Sequence, residues 1–540
     1  MPSPIAPVFR PRRTVTSRAL PAFYVAPALL LGATLVGPNL LAAPGGKMAD
    51  GPADIKKPAP IRKGNVASGR DVFRYETFGD EGFWTDAARM PQGMKAAKIT
   101  PVDALKAGVS VDAERIPVGL RAALAKELKT DLSPAKAPLL NSPATTDKLI
   151  KANAIIGLVP RGGKVGVSCA LCHTVTDASL YGPKDGNGGG IGRRIDGRTQ
   201  YLLNVGKLLS IAANSRAFYP LLQHQKGAVT IGRAPQGVTV HSTEAEVDAY
   251  LNNPKYYPIG TFDDTPDGNG NPVHITPVFR QDLAGPFGSS GQNAILDDFD
   301  NTVYTALFDQ TTLVTPGGRA FLKALGGADG VRISHEYAQI LKETGVKGFP
   351  YVHAAKAGKP GAAATPVGLR VNNQKLLDLN AYFVSLPAPK GVRTEAAAIA
   401  RGRDLFRSNC TSCHNVDQSR PVSAVLIPMK RIYPGYQPTV IATRKPPLSP
   451  IQNAPGTFDD KMIVVDASPA GGIRGNALPL LLDLARKPMF LHDDSVSGLT
   501  SLLDPARGTT APHPFYVRDT AQRTDMIAFL RSLDTGKSSK

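Results

Sequence analysis

The four cysteines of this 540-residue chain fall into two identical patterns, Cys169-Ala-Leu-Cys172-His173 and Cys410-Thr-Ser-Cys413-His414. Two thiols three positions apart can each add to one vinyl group of a single porphyrin. The imidazole of the next residue then lies under the ring and binds iron, so the pattern is the attachment signature of c-type haem. Two covalent haem c groups are expected, held by Cys169, Cys172, Cys410 and Cys413, with His173 and His414 as axial ligands. Two Cys-x-x-Cys pairs could instead share a four-thiolate zinc, and a lone pair can be a redox motif. Neither explains a histidine after both pairs. No cysteine is left for a disulfide.

These motifs must be positioned by helices. Gly402-Arg-Asp-Leu-Phe-Arg407 lies on an amphipathic helix that runs directly into Cys410, and Gly69-Arg-Asp-Val-Phe-Arg74 nearly repeats it. A second echo links Leu377-Asp-Leu-Asn-Ala-Tyr-Phe-Val-Ser-Leu386 to Thr524-Asp-Met-Ile-Ala-Phe-Leu-Arg-Ser-Leu533. Leu376, Leu379, Phe383 and Leu386 recur at helical spacing, as do Met526, Phe529, Leu530 and Leu533. Pro387 and Pro389 stop the first of these helices, and Lys390-Gly391 reads as a joint. Each haem motif is thus framed by an opening and a closing helix. The expected fold is mainly α, with two cytochrome c-like domains in tandem at 67–390 and 391–540. In domain 2 Phe406 stands one helical turn before Cys410. In domain 1 an insertion, about 75–164, separates Phe73 from Cys169. It holds Trp84, the single tryptophan, and a helix at Gly119 to Leu128, and its simplest role is a cover over the haem or the domain interface. A further helix is expected from Thr199 to about Leu222. Thr261 to Pro272 is rich in carboxylates and turn residues but lacks a closing Glu, so a plain turn is favoured over a calcium loop.

Length allows several domains, and 47 Pro and 53 Gly predict long ordered loops between helices. Arg10, Arg12, Arg13 and Arg18, then an uncharged run from Ala19 to Gly46 with small residues at Ala42-Ala43, read as a signal peptide over 1–43, followed by a linker over 44–66. Pro44 is a poor residue to cleave before, so an uncleaved anchor stays open. The Arg12-Arg13 pair is discounted as a twin-arginine signal, because haem c is attached to an unfolded exported chain. No other stretch is long and apolar enough to span a bilayer. A periplasmic location is expected. Removing the four arginines takes the net charge from +19 to 19 − 4 = +15. That suits an acidic redox partner or an anionic surface, or is simply a basic solvated surface. No basic stretch interleaved with aromatics supports nucleic-acid binding.

On these residues the chain resembles the di-haem cytochrome c peroxidase superfamily, which includes the enzyme maturing the tryptophylquinone cofactor of methylamine dehydrogenase and the di-haem rubber oxygenase. The carrying features are the two Cys-x-x-Cys-His sites, the closing helix, and Gly475-Asn-Ala-Leu-Pro through Pro488-Met-Phe-Leu-His492-Asp-Asp-Ser495. Ala284-Gly-Pro-Phe287-Gly-Ser-Ser-Gly291 with Leu296-Asp-Asp-Phe299 is a weaker copy in domain 1. The resemblance implies a six-coordinate C-terminal haem that takes electrons from a small redox protein, and an N-terminal haem where peroxide or dioxygen reacts. The position of the family's second ligand to the C-terminal haem falls near Ala506, which cannot ligate. His513 fits the placement used by the rubber-oxygenase branch, with Met489, His492, Met462 and Met429 as rivals. The inter-haem tryptophan is missing, since Trp84 precedes the first motif. The distal acid aligns near Phe308-Asp309. Asp309 would be a general acid/base for peroxide, Phe308 would make an apolar oxygenase-like pocket, and an ordinary surface Asp and core Phe is the third reading. His224, His241, His274, His335 and His353 read as surface or satisfied histidines. A non-catalytic electron carrier for a partner dehydrogenase is the alternative function. A haem-based sensor lacks an output domain.

Overall fold

The computed structural model describes residues 61–183, 185–222, 238–254, 257–262, 273–283, 287–288, 293–410, 414, 423–428, 461–466, 475–477, 480–491, 494, 496–507, 513 and 516–533. The signal-peptide and anchor readings lie outside these residues, as do Cys413, His492, Met429, His224, most of the Thr261–Pro272 turn and the side chain of Met462. Helices dominate and sheet is confined to small two- and three-stranded pieces, as a mainly α reading requires.

The helices include, in chain order, α1 (Val66–Tyr75), α2 (Ala170–His173), α3 (Leu296–Thr302), α4 (Pro316–Glu343, kinked at Gly327), α5 (Asn373–Ser385), α6 (Ala396–Asn409) and α7 (Thr520–Ser532). Helix α1 packs on α5, and α6 packs on α7. The duplication seen in the sequence is therefore a duplication in space. In both pairs a glycine lets the backbones touch. A Cβ on Gly69 would lie 1.9 Å from the carbonyl oxygen of Asp378, and one on Gly402 would lie 2.0 Å from that of Asp525. The aromatic one turn later repeats as well. Phe73 meets Tyr382 at 5.5 Å and 52°, and Phe406 meets Phe529 at 5.4 Å and 52°. Asp378 and Asp525, and Tyr382 and Phe529, hold equivalent places in the repeated stretch.

Each pair has its own apolar core. Val72, Phe73, Leu376, Leu379 and Phe383 build the first, and Phe406, Met526, Phe529 and Leu530 the second. The joint between them is pinned. Val392 N–H donates to Arg531 O at 2.8 Å, Arg486 donates to Lys390 O at 2.8 Å, and Gly391 sits hard against the backbone of Ser532. Described residues of both halves belong to one compact unit.

Three expectations change. The insertion is more than a cover: Val102, Leu105, Leu124, Leu149 and Ile155 share one core with Leu171, Leu203 and Tyr337, and Cys172 packs against it. The helix expected from Thr199 to Leu222 is three short pieces, Val205–Leu209, Ser215–Phe218 and Tyr219–Leu222. Asn204 caps the first, and Asn214 breaks the run because its side chain donates to Ala87 O at 2.7 Å and its N–H to Ala88 O at 3.0 Å. After the second motif, parallel strands β1 (Ser423–Pro428) and β2 (Lys461–Asp466), with antiparallel β3 (Gly475–Ala477), add a sheet that helical periodicity did not announce. Among the described residues no helix is long and apolar enough to cross a membrane.

Candidate haem-attachment sites

The first motif is one helical turn with its backbone fully engaged. Cys169 precedes α2, and His173 N–H donates to Cys169 O at 3.2 Å, which stacks the first cysteine and the histidine on one face. Gly197 N–H donates to His173 O at 2.8 Å and Gln200 N–H to Cys172 O at 3.0 Å, while the Gln200 side chain donates to Leu171 O at 2.9 Å. Ser168 Oγ donates to Arg74 O at 2.9 Å, tying the turn to α1. Asp196 finishes the clamp, accepting from Thr174 Oγ1 at 2.9 Å, Arg74 Nε at 2.6 Å and the Tyr382 hydroxyl at 2.5 Å. One buried carboxylate thus joins the motif to both framing helices.

Burial pushes the His173 imidazole down to about 4, against the pull of a backbone acceptor at Thr276. Its Nδ1 is buried without a hydrogen-bond partner, and the neutral imidazole is the form that binds a metal.

The second motif continues from α6. Cys410 N–H donates to Phe406 O at 2.8 Å, and His414 N–H to Cys410 O at 2.9 Å, the same cysteine-to-histidine turn as in the first motif. Across from His414 stands His513, with ring centroids 6.2 Å apart. Two imidazoles on opposite sides of one iron need bonds of about 2.0 Å plus roughly 1.1 Å from nitrogen to ring centre on each side, or about 6.2 Å between ring centres. The residues fit a shared iron. His513 is held in the left-handed region at φ 53°, and its carbonyl accepts from Arg507 at 3.4 Å. Burial, then the neighbouring His414 and Arg507, push its ring down to about 3. Of its rivals, Met489 lies in a two-residue strand paired with Ser497.

Asp309 is completely buried, so it is not a surface acid, and it caps the turn Gln310–Val314. One oxygen accepts from Thr311 N–H at 3.1 Å and from the Thr311 hydroxyl. The other accepts from Tyr351 N–H at 2.6 Å and Val352 N–H at 2.8 Å. Both oxygens are thereby occupied in holding two segments together, which matches a structural acid and not a proton shuttle. Phe308 packs where the insertion core meets the α1–α5 core.

Sequence reading missed two groups. Tyr304, on a π-turn over Val303–Leu307 that continues α3, is 1% exposed and places its hydroxyl 3.2 Å from Cys169 Sγ. At the junction of the halves, Asp483 pairs with Arg486 and lies 3.5 Å from Arg198 Nε, while Asn187 donates to Arg486 O at 3.2 Å. An unusual helical turn has no sequence signature, and a residue more than a hundred positions away gives no local signal of contact. Thr261–Phe262 pairs antiparallel with Val273–His274, and the turn expected between them lies outside the described residues. Among the described residues no cluster of three or more His, Cys, Asp or Glu forms a cage for a bare metal ion. Compared with known families, curated proteins and solved structures, the chain matches none.

Proposed function

We propose that the chain is an exported, periplasmic di-haem c-type cytochrome that works as an oxidoreductase. Electrons from a small redox protein would enter at the haem on Cys410, Cys413 and His414 and act on peroxide or dioxygen at the haem on Cys169, Cys172 and His173. The observation that carries this reading is the repetition of one Cys-to-His turn beside two equivalent glycine-clasped helix pairs. Haem supplies the redox-active iron. The chain's own residues supply neutral imidazoles, a rigid turn at the first site, and His513 facing His414 at the second.

The runner-up is a non-catalytic electron carrier, and one observation favours it: the acid aligned with the family's distal position is fully engaged elsewhere. Low-temperature EPR of the oxidised and half-reduced protein separates the two. One high-spin haem that responds to hydrogen peroxide supports the enzyme, whereas two low-spin haems indifferent to peroxide leave the carrier. Purified exported protein without covalent haem would end both readings.

A further inference from the structure

Tyr304 brings a polar group against a candidate attachment sulphur, Cys169 Sγ. The phenol is enclosed by Phe78, with ring centroids 4.5 Å apart and edge to face, and by Phe308 at 5.6 Å. Its hydroxyl lies 3.2 Å from Cys169 Sγ, within reach of a sulphur hydrogen bond. The turn that presents it closes with Phe308 N–H donating to Val303 O at 2.9 Å, a wide five-residue step. Such turns insert one residue into a helix and re-aim the side chains that follow, which is why they recur at functional sites.

The surroundings decide the direction of that hydrogen bond. Burial comes first and the Cys169 contact adds to it, so the phenol is held well above its ordinary range and keeps its proton. Asp80 and Asp300 are themselves buried and shifted well up, so neither brings a settled negative charge to the pocket. As a free thiol, Cys169 could be donor or acceptor. A thioether has no hydrogen, so once the sulphur carries a porphyrin the phenol can only donate.

We propose that Tyr304 is a positioning and tuning residue for the His173 haem, donating its phenolic hydrogen bond to the Cys169 thioether and so raising the reduction potential of that haem relative to one without the donor. The inference rests on the haem reading above. A donor at the macrocycle edge withdraws electron density and favours the reduced iron, a lever of the kind by which proteins set haem potentials. Tyr304 lies against Cys169 of the first motif, so its effect falls on the first haem.

The test is a mediated spectroelectrochemical titration of the full-length, haem-loaded protein and its Tyr304→Phe variant, after mass spectrometry of the peptide carrying Cys169 and Cys172. Loss of the hydroxyl should lower the first haem's reduction equilibrium constant about tenfold, near 59 mV for one electron, and leave the His414 haem unmoved. The shift should vanish when Tyr304→Phe is made on Cys169→Ala, where haem hangs from Cys172 alone. Should Tyr304→Phe fail to load, 3,5-difluorotyrosine at position 304, a stronger donor of nearly the same shape, should raise the first potential. Unchanged potentials in loaded protein, or equal shifts at both haems, would overturn the proposal while leaving the haem reading intact. Absence of haem from the Cys169 peptide of the unaltered protein would remove both.

Discussion

The two helix pairs are copies, yet the motifs they frame are embedded differently. Both pairs use a glycine at the crossing and an aromatic contact of nearly identical geometry. Around the first motif, Gln200, Ser168 and Asp196 fix the turn from three directions, and the insertion core packs against Cys172. The second motif extends from α6, and that helix is tied to α7 by a two-pronged pair between Arg401 and Asp525 with bonds of 2.7 and 2.9 Å. Helix crossings tolerate almost no change because two backbones touch there. What surrounds each motif is free to diverge, and that is where the two sites differ: His513 opposite His414, Tyr304 beside Cys169.

The comparison breaks most sharply at the cysteines. Cys169→Ala with Cys172→Ala should halve covalent haem while the Cys410 site stays loaded, read by pyridine haemochrome absorbance and peptide mass. Retention of both haems would show that the first motif is not an attachment site. Next in size, His513→Ala should turn the low-spin signature of the second haem high-spin, with added imidazole restoring it. If the spin state holds, another residue ligates and the 6.2 Å approach is only packing.

Gly69→Ala and Gly402→Ala should each destabilise the chain by about 2–3 kcal/mol in urea denaturation, since a methyl group cannot share space with a carbonyl without separating the helices. Equal losses would confirm that the two crossings are equivalent.

A smaller effect is pH dependence. His173 and His513 are held neutral by burial, at about 4 and about 3, below their ordinary value of 6.5. The unfolded chain therefore takes up protons first. Haem-free protein should have full stability above pH 6.5 and lose it as the pH falls towards 4, the His513 share continuing to about 3. Urea midpoints that do not change between pH 7 and 4.5 would show that neither ring is buried as neutral imidazole. Smallest of all, Arg401→Met removes the exposed arginine of a part-buried ion pair and should move the midpoint far less than Gly402→Ala.

Much of this was legible because it is local. A Cys-x-x-Cys-His turn carries its own geometry, and the repeated Gly-Arg-Asp-x-Phe-Arg stretch marks the opening helix of each pair even before its partner is known. The helix at Gly119 to Leu128, seen at Val118–Glu127, was legible for the same reason. What stayed hidden depends on contacts across the chain. Asn214 breaks a helix because Ala87 and Ala88 offer it carbonyls, and Asp309 is occupied because the 351–352 backbone arrives to meet it. Neither event leaves a trace in nearby sequence.

The closing helices also set a timetable. A chain that emerges from its N-terminus cannot complete the α1–α5 crossing until residue 385 is out, and the α6–α7 crossing must wait for residue 532. Cys169 therefore waits for more than two hundred further residues before its frame closes, whereas Cys410 waits for little more than half as many. Chemistry that requires an open chain has a longer interval at the first motif than at the second. Truncation before α7 should leave the second motif without its frame while the first closes normally.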